Sequence, residues 1–103
     1  MAKTLNYSNL DKVAEIAGVL RLLSDPTRFR ILCCLIEHSE GMCVFELAEE
    51  LDVSHSAMSH QLNRLEDRGI VGSFREGQSV CYQLEDTPAA RRLKQIITLF
   101  DRT

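Results

Sequence analysis

The stretch VFELAEELDVSHSAMSHQLNRLEDRGIV, residues 44–71, decides the fold of this chain. Val44, Leu47, Ala48 and Leu51 recur at helical spacing, which predicts a short helix over residues 43–51. Asp52-Val53 leaves room only for a tight turn. Ser54 is a good helix cap, because its hydroxyl can accept a free backbone N–H of the next turn. The helix it opens, over about 55–68, has Ala57, Met58, Leu62 and Leu65 as its apolar positions. Gly69 follows, where a helix end favours a left-handed residue. Ile70, Val71 and Phe74, then Val80, Tyr82 and Leu84, read as two short strands joined by Arg75-Glu76-Gly77-Gln78. Two short helices, a tight turn and a hairpin together predict a winged helix-turn-helix.

The flanks agree with that centre. Upstream, Leu10, Val13, Ile16, Ala17 and Leu20 mark one face of a helix over residues 9–23. Ser24-Asp25-Pro26 is a second start signal: a polar cap precedes a proline that has no N–H to satisfy. The helix it opens, to about His38, is apolar on most sides, as a central helix should be. Downstream, Ala90, Leu93, Ile96, Ile97 and Phe100 face one way on a last helix over residues 87–101. Arg91, Arg92 and Lys94 face the other way. The expected architecture is mainly α: five helices and a two-stranded wing in one domain spanning residues 1–103. The two terminal helices carry more apolar face than so small a domain can cover. They therefore predict a twofold homodimer, the alternative being that they complete a monomer core.

A net charge of -3 excludes a protein that holds nucleic acid by bulk charge. If the chain binds DNA, its cations must cluster, because phosphate contacts are local. The first helical residues of the second helix in such a motif meet base edges in the major groove. Here they are Ser54, His55, Ser56, Ser59, His60 and Gln61. Gln61 has the donor and acceptor needed to read adenine. Arg64 and Arg68 lie further along the helix, within reach of phosphate. An isolated polar helix face would more simply be solvated, and His60 equally suits a structural hydrogen bond.

These residues carry a family resemblance. LSDPTRFRILCCL (residues 23–35), the 44–71 stretch and FREGQSVCYQL (residues 74–84) resemble, in order and spacing, the second helix, helix-turn-helix and wing of the ArsR/SmtB repressors. The resemblance implies a dimeric repressor on a roughly twofold double-stranded DNA operator. It assigns wing-tip contacts to Arg75 and Gln78, dimerisation to the terminal helices, and release of DNA by an effector. Zinc-responsive members place their ligands on the last helix. The matching positions here are Asp86, Pro88, Leu99 and Arg102, of which only Asp86 can ligate a metal. That site looks lost. Arsenic- and cadmium-responsive members carry Cys-Val-Cys where this chain has Cys43-Val44-Phe45. A thiophilic metal ion there would need a second thiolate, from Cys33, Cys34 or the other subunit. Oxidation-responsive members pair a cysteine matched by Cys33 with a position that here is Asp101, so that bond cannot form.

The first residues, MAKTLNYSNLDK, hold no apolar signal core, and no stretch is long and apolar enough to span a membrane. A cytoplasmic protein is expected, with Cys33, Cys34, Cys43 and Cys81 as reduced thiols. Cys33 and Cys34 also suit plain packing in an apolar helix, and Cys81 suits packing in a strand. Cys43 lies at a helix N-terminus, where the dipole favours the thiolate. Cys33 and Cys43 are therefore the candidate sensing residues. A winged-helix module that binds protein is the competing reading. A thiol enzyme is disfavoured, because no Cys-His-Asn or Cys-His-Asp arrangement and no glycine-rich phosphate loop is present.

Overall fold

The computed structural model describes residues 7–101. Five helices and three strands follow in the order α1 (Leu10–Leu23), α2 (Pro26–Glu37), β1 (Met42–Cys43), α3 (Val44–Leu51), α4 (His55–Asp67), β2 (Val71–Glu76), β3 (Ser79–Leu84) and α5 (Pro88–Asp101). The expected architecture is present, with one addition. The wing is three-stranded, in the antiparallel order β1-β3-β2. A strand of two residues shows no alternation to read.

The local signals act as their chemistry requires. Asp25 Oδ2 accepts from the Arg28 N–H at 2.9 Å, with Pro26 as the first residue of α2. Ser54 Oγ accepts from the Ala57 N–H at 3.2 Å and starts α4. Asp52 closes α3 in the left-handed region, φ 55°, which a short polar side chain tolerates. Gly69 takes φ +73° just past α4, and its N–H reaches Glu66 O at 2.9 Å. Thr87 caps α5 by accepting from the Ala90 N–H, and its own hydroxyl donates to Gly69 O at 2.8 Å.

Helix α2 is the centre of the core. Ile31, Leu32 and Leu35 are closed to solvent and join Leu47, Met58, Leu62, Leu65, Ile70, Val71, Leu93 and Ile97 in one cluster. Gly41 positions the wing against this body. At φ +99°, a Cβ there would stand 2.8 Å from Tyr82 O and 2.9 Å from the Phe74 ring. Its absence lets β1 lie flat on β3.

The terminal helices behave differently from the rest. Helix α5 buries Ala90, Leu93 and Ile97, and α1 buries only Gly18 and Leu22. Leu10, Val13, Ile16 and Leu20 on α1 and Leu99 and Phe100 on α5 lie open to solvent. Glu15 Oε1 and Arg92 Nη1, 3.0 Å apart, link the two helices. Lys12, first, and then Arg92 hold the Glu15 carboxyl below its usual value.

Candidate nucleic-acid interface

Helix α4 turns Met58, Leu62 and Leu65 into the core, and this fixes where its other residues stand. Ser56, Ala57, His60, Asn63 and Arg64 are exposed, and His55 is exposed at the helix start. Ser54 is exposed too, but its hydroxyl is engaged as the cap. Ser59 lines a cleft of about 380 Å³ between α3, α4 and the wing, together with His55, Phe45, Asn63 and Gln78. Tyr82 Oη donates to Asn63 Oδ1 at 3.3 Å, a direct link from wing to α4. Burial, and secondarily Glu66, keeps the Tyr82 phenol protonated beyond its usual range. Arg75 and Gln78 are exposed at the far end of the β2–β3 hairpin.

Gln61 stands apart from its neighbours. It is half-buried, and its amide makes long contacts with Arg28 Nη1 (3.4 Å) and Asp25 Oδ2 (3.5 Å). Arg28 also donates through Nε to Leu22 O at 3.1 Å and through Nη2 to Arg21 O at 3.3 Å. One guanidinium thus satisfies the open carbonyls at the end of α1 and holds the flank of α4. Sequence reasoning missed this clamp, because it joins three helices that only the fold brings together. Arg21, Arg28, Arg64 and Arg68 meet around one cleft of about 230 Å³. Asp67 stands among the arginines at this end of α4.

The cysteines fall into two places. Cys33 lines a cleft of about 440 Å³ with Phe29, Ile97 and Asp101, the position that the resemblance to oxidation-responsive repressors paired with it. Burial, then Asp101 and Glu37, push the Cys33 thiol up, and burial leads the same shift at Cys34. The expectation of four reduced thiols is corrected: Cys43 and Cys81 form a disulfide. They oppose each other across β1 and β3, their Cα atoms 3.6 Å apart despite a separation of 38 residues. The pairing depends on β1, which the sequence did not reveal.

The last helix does not fit a zinc site. Asp86 is exposed and pairs with Arg91 Nη1 at 3.5 Å, Pro88 and Leu99 offer no donor, and Arg102 lies outside the described residues. The Cys-Val-Cys arrangement is also incomplete: Phe45 is exposed where the second thiolate would stand. Among the described residues, Cys43, Glu76 and Cys81 are the one group of three metal-ligating side chains brought together, and the disulfide occupies both sulfurs.

The bacterial regulatory protein arsR family matches residues 25–73, from the cap of α2 into β2. The HTH-type transcriptional regulator NmtR of Mycobacterium tuberculosis is 38% identical over 84 residues, 82% of this chain and 68% of the relative. The chain belongs to the arsR family. The transcriptional repressor BigR from Xylella fastidiosa superposes with a TM-score of 0.78 at 28% identity, covering 95% of each chain. The antimony-specific transcriptional repressor AntR gives 0.73 at 30% identity, covering 98% of this chain and 96% of its own. ArsR-family relatives of this chain are transcriptional regulators, not enzymes. No described helix of this family member is long and apolar enough to cross a membrane.

Proposed function

We propose that the chain is a sequence-specific DNA-binding repressor that acts in the cytoplasm as a homodimer. The observation that carries the reading is the surface of α4. Its exposed Ser56, His60 and Asn63, with half-buried Ser59, adjoin a cleft lined by four arginines and Asp67 on one side and the Arg75–Gln78 wing tip on the other. Short polar groups suit base edges, and flanking guanidinium groups suit phosphates. The local cluster answers the acidic net charge, since phosphate neutralisation needs only nearby cations. Exposed apolar residues on α1 and α5 would be covered by a second copy. Two α4 helices would then enter successive major grooves, ~34 Å apart.

Release by an effector belongs, in this reading, to thiol chemistry at Cys43 rather than at Cys33. Cys43 lies at the N-terminus of a helix next to the wing, where a change at its sulfur reaches both the helix-turn-helix and β3.

Fluorescence anisotropy on duplexes from upstream of the chain's own gene, with scrambled DNA as control, tests the reading. His60→Ala is expected to weaken specific binding by about 1–3 kcal/mol and to leave scrambled DNA nearly unchanged. Arg64→Ala and Arg75→Ala are expected to weaken both, each lowering the salt slope by about one. Wild-type binding that does not distinguish the two duplexes would favour the protein-binding alternative.

A further inference from the structure

Cys43 and Cys81 form a site that the DNA-facing surface does not use. Cys43 ends β1 and caps α3, and its own N–H donates to Glu46 Oε1 at 2.9 Å. Cys81 is the third residue of β3. Both are buried, Cys43 at 7% exposure and Cys81 at 0%. Glu76, at the end of β2, places a carboxylate oxygen within 4.8 Å of both sulfurs. A cleft of about 370 Å³, lined also by His38, Glu40, Met42, Glu46 and Phe74, opens onto the pair. The strand that carries Cys43 pairs with β3 through two residues only, Met42 with Tyr82 and Cys43 with Cys81.

We propose that Cys43 and Cys81 are a reversible two-electron redox site that fastens the wing to the helix-turn-helix, and that the disulfide form is the one that binds DNA tightly. The second half of this rests on the DNA-binding reading above. In a reducing compartment a disulfide is usually transient or sensory rather than structural. The roles of the two sulfurs follow from their places. Cys43 is at a helix N-terminus, which stabilises a thiolate, and it retains some exposure; it is the attacking sulfur. Cys81 is fully enclosed and resolves the intermediate.

The oxidant is a hydroperoxide small enough for the cleft. The Cys43 thiol gives its proton to the Glu76 carboxylate. The thiolate attacks the distal oxygen, the O–O bond breaks, and the leaving alkoxide or hydroxide takes the proton back from Glu76 as an alcohol or water. The sulfenic acid on Cys43 is then displaced by the Cys81 sulfur. The S–S bond forms, the S–O bond breaks, and the hydroxide leaves with the Cys81 proton as water. Two thiols and one hydroperoxide give one disulfide, one water and one alcohol or second water. A small dithiol reverses the bond by exchange, becoming a disulfide itself.

The bond matters because of what it joins. On one side is β3, the middle strand of the wing, which leads to the hairpin tip bearing Arg75 and Gln78. On the other is the first residue before α3. Closed, it orders the wing beforehand, so that less freedom is lost when DNA is bound. Open, the wing is joined to α3 only by two backbone pairs and side-chain packing.

The test uses the full chain, treated with dithiothreitol or with hydrogen peroxide and then freed of reagent. Thiol titration of the unfolded protein should find four free thiols after reduction and two after peroxide, with peptide mapping placing the link at Cys43–Cys81. Anisotropy on the operator duplex should give about tenfold tighter binding for the oxidised form. Cys81→Ser and, independently, Cys43→Ser should bind like the reduced protein in either treatment, while Cys33→Ser keeps the full response. Four thiols after peroxide overturn the redox site. Affinity that reduction leaves unchanged or raises, or a response that survives in Cys81→Ser, overturns the coupling to the wing. If neither form binds DNA specifically while the thiol count still switches, the DNA-binding reading has failed and the redox pair has not.

Discussion

Gln61 shows how a residue's chemistry and its place can point in different directions. By type it suits adenine, but its amide is turned towards Asp25 and Arg28 at the flank of α4. Gln61→Ala is therefore expected to cost about 0.5–1.5 kcal/mol of stability. Specific and non-specific DNA binding should then fall together. Thermal melts beside anisotropy on two duplexes check this, and selective loss of specific binding would restore base reading to Gln61. The thiols of α2 make a second case at this scale. Burial raises the Cys33 and Cys34 thiols in the folded chain. On unfolding they return to the ordinary thiol range and ionise first as pH rises. The folded state thus loses stability as pH climbs through that range, and below it they add no pH dependence. Native alkylation of these two residues by iodoacetamide should lag behind that of the unfolded chain, most clearly near pH 9. Equal rates would show that both thiols are open to solvent.

At the scale of elements, the helices announced themselves and the smallest strand did not. Asp25-Pro26, Ser54 and Gly69 are local signals, each readable because one side chain or one backbone angle does the capping. The outward face of α4 was legible for the same reason: once Met58, Leu62 and Leu65 point inward, Ser56, Ser59 and His60 must point elsewhere. Strand β1 has no such signature. Its pairing depends on Gly41 passing against Phe74 and Tyr82, contacts with residues more than thirty positions away. The Arg28 clamp and the Cys43–Cys81 pair were hidden likewise, since both join segments that only folding makes neighbours. Gly41→Ala should expose this dependence. It forces a side chain into a left-handed position and onto a backbone carbonyl, at a cost of order 1–3 kcal/mol. Hydrogen exchange should then quicken in Met42, Cys43 and β3 while α2 and α4 stay protected. Uniform loss of protection would mean instead that β1 is integral to the global fold.

Over the whole molecule the described residues extend 54 × 30 × 21 Å, and the apolar surface is concentrated on α1 and α5. Leu20→Glu places a charge on that surface without touching the core, as Leu20 is 50% exposed. Sedimentation should show a monomer that keeps its helical circular dichroism and loses most of its operator affinity. A variant that remains dimeric would move the contact away from α1. The open faces of α1 and α5 also make abundance part of this protein's thermodynamics. Where chains are few, each spends its time alone with greasy helices facing water, the form that frays first and that proteases meet. Where chains are many, mass action would hide those faces in the proposed dimer and lengthen the life of every copy. Dosage would then set both how much of its operator is occupied and how long each molecule persists.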